Sequence, residues 1–243
     1  MVATTPRHRP WPYALPPSPE QWQALDATRR LADVRARLLP KLNSELAARG
    51  CKSGDPAFIR IFKETSELEL WLRPGAGGFR LFQTYRVACY SGTLGPKTRE
   101  GDMQAPEGFY AFGKSQLNPA SRYHLSFNIG YPNEFDRSQK RTGSLIMVHG
   151  SDVSIGCFAM TDPVIEEIYL IVEAALNAGQ AGVPVHAFPF RMSAARMENA
   201  RIAGEPSLAF WQELKTGHDI FEKTRVPPAV SVAGGQMAFD EAF

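Results

Sequence analysis

No run of about 18 apolar residues occurs in the chain, so the sequence encodes no membrane-spanning helix. Neither sign of charge dominates: 27 Lys and Arg stand against 25 Asp and Glu in 243 residues, a formal net charge of +2. That balance is too mild to imply nucleic-acid binding, although it would not oppose a polyanionic cell-wall polymer. Cysteine is scarce, with Cys51, Cys89 and Cys157 the only three. None stands at C-x-x-C spacing, which leaves neither a disulfide framework nor a metal cage. The odd count leaves at least one thiol unpaired, here assigned to Cys157, while Cys51 and Cys89 stay open as a candidate disulfide. There is no His-Glu-x-x-His and no phosphate-binding glycine loop. Nothing calls for a metal or a cofactor. The basic N-terminus runs into proline rather than an apolar segment, so no signal peptide is legible. Either this is a mature or trimmed form, or the true start lies upstream.

What is present is ordinary globular composition, 44% hydrophobic and 21% charged, enough for one large domain or a medium one with appendages. Residues 1–19 read as a disordered or extended arm. Leu31, Val34, Leu38, Leu42 and Leu46 then recur every three or four positions, predicting a helix from Glu20 to about Ala48 with a kink, or two abutting helices, at Pro40. From Phe58 the period becomes two, with Leu68, Leu70 and Leu72 on one strand face. A second run from Phe79 to Tyr90 puts Tyr85, Val87 and Cys89 on one face, giving an antiparallel meander. Further strands are expected at Phe109–Phe112, Tyr123–Ile129 and Ser144–Val148. A helix should follow Cys157, with Asp162 as N-cap, Pro163 at its first position, a buried stripe of Val164, Ile168, Ile171 and Ala175, and an end at Gly179 or Gly182. Another is expected over Pro206–Lys223, before a weakly patterned tail. The fold class is mainly β with appended helices. The segments are an arm and amphipathic helix over 1–56, a core domain over 57–190 and a helical extension and tail over 191–243.

The chemistry-bearing stretch is His149-Gly150-Ser151-Asp152-Val153-Ser154-Ile155-Gly156-Cys157. A thiol of ordinary pKa is mostly protonated at neutral pH and needs a base or a positive environment to act as a nucleophile. His149 ends an apolar strand, Cys157 follows eight residues on, and a glycine-containing loop lets the chain double back. Nε2 could then reach the sulfur while Nδ1 donates to a nearby carbonyl. Gly156 permits close backbone approach, so amides around Gly156 and Cys157 would face a developing oxyanion, where one donor is worth roughly 3 kcal/mol. A helix starting after Cys157 would favour its thiolate. The plain alternatives are a cysteine acting as a small core hydrophobe and a Ser154 that only bonds its own loop. His124 reads as a packed or exposed strand residue. His186 and His218 lack a glycine-shaped setting, and His8 lies in the arm.

At these residues the sequence resembles the YkuD-type L,D-transpeptidase catalytic family, whose signature is a strand ending in His-Gly followed by a Ser/Thr-x-Gly-Cys turn. His149, Gly150, Ser154, Gly156, Cys157, Phe158 and Met160 match it. Ile155 and Ala159 depart from it, standing where many members have histidine and a substrate-holding arginine or asparagine. Ser91-Gly92, Leu94-Gly95-Pro96-Lys97, Gly101-Asp102, Pro106 to Tyr110, Asn128 to Asn133, Pro189 to Met192 and Thr224-Arg225 are similar to one branch, the DpaA/YafK subgroup. The likeness spans about Phe58 to Gly235. It implies an L,D-transpeptidase-like β-sandwich or barrel carrying an N-terminal helix and C-terminal helices. Cys157 is the implied nucleophile, His149 the base, Gly150 the carbonyl orienting His149, and Ser154, Ile155 and Gly156 the oxyanion loop. Arg191 and Tyr131 are implied substrate contacts, with an ordinary ion pair as the other reading of Arg191. The implied substrate is the stem peptide of peptidoglycan in the periplasm, and the implied reaction is hydrolysis of the diaminopimelate–lysine link to a Braun-type outer-membrane lipoprotein. The alternatives are an L,D-transpeptidase forming cross-links or lipoprotein attachments, and a non-catalytic wall-binding module.

Overall fold

The structure is a computed structural model describing residues 18–240. Almost all of the N-terminal arm, with His8, lies outside the described residues. Helix α1 (Pro19–Ala48) runs 30 residues without interruption, Pro40 included. The expected break is absent for a physical reason. Pro40 removes the hydrogen bond to the carbonyl of Ala36, and both residues lie on the exposed face, where water can satisfy that oxygen. The opposite face buries Leu31, Val34, Leu42 and Leu46.

The chain continues through β1 (Ala57–Phe62), β2 (Glu67–Leu72), β3 (Arg80–Arg86), β4 (Cys89–Tyr90), β5 (Gly108–Phe112), β6 (Leu117–Asn118) and β7 (Ser126–Asn128). After the short α2 (Glu134–Ser138) come β8 (Met147–His149), β9 (Phe158–Ala159), α3 (Asp162–Asn177), β10 (Val183–Phe188), α4 (Ala194–Ile202), α5 (Leu208–Thr224) and the strands β11 (Ala229–Ala233) and β12 (Gln236–Asp240). Two five-stranded sheets organise the fold, in the orders β3-β2-β1-β10-β5 and β4-β9-β8-β7-β6. Each is mixed, with β1–β10 and β8–β9 the parallel pairs. Ile59, Leu68, Leu70 and Phe112 of the first sheet share one core with Phe127, Val148 and Phe158 of the second and with Ile168 and Val172 of α3.

The first sheet is covered on its other face as well. Phe58 and Trp71 pack with Phe221 of α5, and Phe62 and Phe188 share a second cluster with Met197 of α4 and Trp211 and Leu214 of α5. For that reason β2 is buried on both faces rather than alternating. Glu69 is tolerated inside because it accepts from Arg60 Nε and Trp71 Nε1, both at 2.9 Å.

Several expected elements come out differently. The run from Phe79 to Tyr90 splits into β3 and β4, which belong to different sheets. The strand expected at Tyr123–Ile129 shrinks to β7 because the chain turns at His124, with φ of 68°. The strand expected at Ser144–Val148 starts later, as β8. Thr161, not Asp162, caps α3, and Pro163 takes the second helical position. Ile165 replaces Val164 as a fully buried residue, and α3 ends at Asn177 with Ala178 as C-cap. Helix α4 was not expected at all. The tail forms a hairpin whose Gly234–Gly235 turn has φ of 60° and 79°, the left-handed pair that a two-residue connection demands. All three cysteines are free, which corrects the candidate Cys51–Cys89 disulfide.

Candidate active site

Strands β8 and β9 pair parallel, Val148 beside Phe158 and His149 beside Ala159. Parallel neighbours ordinarily need a long crossover. Here the strands are three and two residues long, so the loop from Gly150 to Cys157 suffices to bring the chain back. The two-residue alternation puts Cys157 on the same face as Ala159, and hence as its partner His149. Both side chains line one cleft of about 500 Å³, together with Asn118, Arg122, Tyr123, Leu145, Met147 and Ile155 among others.

His149 is 3% exposed. Its Nδ1 lies 2.6 Å from the carbonyl oxygen of Gly150. A carbonyl can only accept, so Nδ1 carries the proton and Nε2 keeps a lone pair. The Tyr123 ring lies over the imidazole at 4.8 Å between centroids. Burial pushes the pKa of His149 down, with the Gly150 bond opposing it. Gly150 has a packing role too: a Cβ there would sit 2.5 Å from Asp162 Oδ1 and 2.8 Å from the Tyr123 carbonyl. Its amide donates to the carbonyls of Tyr123 and Leu125, at 3.0 and 3.1 Å. These bonds fasten the end of β8 to the turn before β7.

Cys157 is partly exposed. The Met147 amide donates to Sγ at 3.3 Å, and the thiol lies 3.6 Å from the Leu145 carbonyl. Burial raises the thiol pKa, while the Met147 amide and the charge of Lys97 act the other way. The expected helix-dipole assistance is absent, because β9 intervenes and α3 begins only at Asp162. Asp162 Oδ1 instead accepts from the Ser151 amide at 2.8 Å.

The oxyanion loop also departs from expectation. Ser154 Oγ accepts from the Cys157 amide at 3.0 Å and donates to the Cys157 carbonyl at 2.7 Å. The Gly156 amide, in a residue with φ of 90°, donates to Ser91 Oγ. Both amides are therefore already engaged. Ile155 is 77% exposed at the cleft wall.

Arg191 and Tyr131 do not line the cleft. Arg191 spans Glu67 and Glu69 at 2.7 and 2.6 Å and stacks on Phe62, which makes it an ion-pair residue of the first sheet. Tyr131 is buried, its hydroxyl directed at the carbonyls of Lys97 and Thr142, 3.2 and 3.1 Å away. Of the other histidines, His124 pairs with Glu166 at 2.8 Å. His186 is buried between Phe58 and Phe109. Among the described residues no cluster of three or more His, Cys, Asp or Glu could hold a metal. The sequence reading missed Arg122, Tyr123 and Ser91. Ser91 belongs to the Ser91-Gly92 motif, yet a local pattern carries no sign that its hydroxyl meets the Gly156 amide 65 residues on.

Comparison with known proteins follows the same region. Residues 58–186 match the YkuD L,D-transpeptidase catalytic domain. A protein of Escherichia coli K12 named as a candidate L,D-transpeptidase, YafK, is 46% identical over 183 residues, which cover 75% of this chain and 73% of the relative; its O157:H7 counterpart matches equally. Among solved structures, the K307A mutant of the Campylobacter jejuni helical cell shape determining protein Pgp2 aligns with a TM-score of 0.45 at 23% identity, over 72% of this chain and 63% of that one. Bdellovibrio bacteriovorus Bd1075 aligns with a TM-score of 0.39 at 22% identity, over 68% of this chain and 60% of the other.

Proposed function

Because the chain belongs to the L,D-transpeptidase catalytic-domain family, we propose that it is a cysteine acyl-transfer enzyme of bacterial peptidoglycan, with Cys157 as nucleophile and His149 as general base. The observation that carries this reading is the shared cleft, in which His149 has Nδ1 committed to Gly150 and Nε2 left as the basic nitrogen. Nε2 takes the thiol proton as Sγ attacks a diaminopimelate carbonyl. The tetrahedral intermediate collapses to a thioester as the imidazolium returns that proton to the leaving amine. Water, deprotonated by Nε2, then releases the acid. The oxyanion takes the Gly156 or Cys157 amide by displacing the hydroxyl of Ser91 or Ser154, so those serines hold the loop ready before substrate arrives.

The bond we assign is the amide between diaminopimelate and the terminal lysine of an outer-membrane lipoprotein, which puts the enzyme in the periplasm. No helix among the described residues is long and apolar enough to cross a membrane. Residues 57–190 form the catalytic portion, flanked by α1 and by the extension from 191 to 243. Transpeptidation is the second reading, favoured by the designation of the 46% identical relative; it differs only in using an amine in place of water. Incubation with a lysine-linked diaminopimelyl muropeptide, read by mass spectrometry, separates the two. Net release of free muropeptide is the predicted result, and cross-linked dimers without release would overturn the amidase assignment.

A further inference from the structure

The cleft that holds Cys157 and His149 is apolar along much of its wall, with Leu145, Met147, Val153 and Ile155 lining it, and among the described residues that line it there is no carboxylate. Among those described residues the one that is permanently charged is Arg122. Other arginines close to functional or packing surfaces are committed: Arg60 and Arg191 to Glu69, Arg141 to Asp136, Arg37 to Glu166. Arg122 is exposed and has no hydrogen-bond or ion-pair partner among the described residues. A guanidinium against apolar walls, away from any acidic neighbour, is set to receive an anion in a two-pronged hydrogen bond.

The backbone beneath Arg122 is fixed from both sides. Arg30 of α1 donates to the carbonyls of Ser121 and His124 at 3.2 and 2.6 Å. The Tyr123 amide donates to Ser121 Oγ at 3.0 Å, and the Tyr123 carbonyl accepts from the Gly150 amide at 3.0 Å. The next side chain along, Tyr123, covers His149. Arg122 therefore stands at a set position beside the reacting groups rather than on a free loop.

We infer that Arg122 is the specificity-determining residue of the cleft and binds a free carboxylate of the acyl donor. The inference rests on the acyl-transfer reading for its substrate class: diaminopimelate spends one carboxyl in the bond attacked and keeps a second.

Calorimetry on the inert Cys157→Ala protein, with and without Arg122→Gln, tests it. The probes are lysine-linked diaminopimelyl muropeptide and two analogues, one amidated at the second diaminopimelate carboxyl and one at the remaining stem carboxyl. One amidation should weaken binding by about tenfold, and Arg122→Gln should erase that difference, identifying which carboxylate is read. Equal binding of all three probes, no binding at all, or a preference that survives Arg122→Gln would overturn the assignment. Cleavage by the wild-type enzyme, followed on the same probes, keeps the two claims apart. Cleavage without carboxylate preference sinks the Arg122 subsite alone. A preference lost in Arg122→Gln with no cleavage leaves the subsite standing and sinks the acyl-transfer reading.

Discussion

Burial acts on both members of the Cys157–His149 pair so as to remove charge, raising the thiol pKa and lowering that of the imidazole. In the proposed mechanism the resting state is a neutral thiol and a neutral base lining the same cleft, so that proton transfer would accompany attack instead of preceding it. A lowered imidazole pKa keeps His149 basic below the ordinary 6.5, so the acid limb of kcat/KM should fall at a pH below 6.5. A limb at or above 6.5 would contradict a buried base. His149→Ala should lower kcat/KM by about 10²–10⁴. The same physics without chemistry operates at His186, buried among Phe58, Phe109 and Phe188, with Nδ1 lacking a hydrogen-bond partner among the described residues. Burial, then the charge of Arg60, holds its pKa well below the ordinary value. The unfolded chain takes up this proton first as pH falls through about 6.5, so the folded state loses stability from there downward. Between pH 7 and 5, denaturant unfolding of His186→Phe should show a loss smaller than that of wild type by about 1–2 kcal/mol; equal losses would refute it. Of these residues the sequence exposed His149 and Cys157, because a strand-ending His-Gly and a Gly-Cys turn are local patterns. Arg122 and Tyr123 stayed hidden, since their turn depends on a non-glycine residue, His124, at positive φ. For Arg191 the ion-pair reading is the one the structure realises, with partners, Glu67 and Glu69, on a strand over 120 residues away that no local pattern could name.

Helix α1 braces the cleft. Besides Arg30 on the 121–124 turn, Arg35 and Arg37 reach Glu173 and Glu166 of α3, and Glu166 also holds His124. On the opposite side, buried Lys63 bonds the carbonyls of Gly95 and Ala105 and the carboxylate of Glu107. That anchors the loop from which Ser91 grips Gly156. Arg30→Met should therefore raise KM several-fold with little change in kcat, cost on the order of 1–2 kcal/mol of stability, and speed amide exchange around residues 121–125. Unchanged KM and exchange would contradict the bracing role. The periodicity of α1 was legible from its leucines; its purpose was not, because Arg30 acts on two carbonyls about 90 positions away.

In the molecule as a whole, two mixed sheets share a core and the first is buried on both faces. Alternation in sequence announced strands but could not give their order, because β10 pairs with β1 across more than 120 residues. Nor could it tell a one-sided sheet from one covered by α4 and α5, since Glu69 and Arg60 look solvent-facing until each is paired with the other. This covering leaves the cleft of His149 and Cys157 on the second sheet, at the ends of short strands. The claim at the centre is that Cys157 becomes acylated. Rapid quenching of the protein with lysine-linked diaminopimelyl muropeptide, followed by intact-mass and peptide mass spectrometry, measures it directly. A muropeptidyl adduct on Cys157, lacking the lysine portion and absent from Cys157→Ala, is the predicted result. Full turnover by Cys157→Ala, or an adduct mapping to another residue, would contradict it.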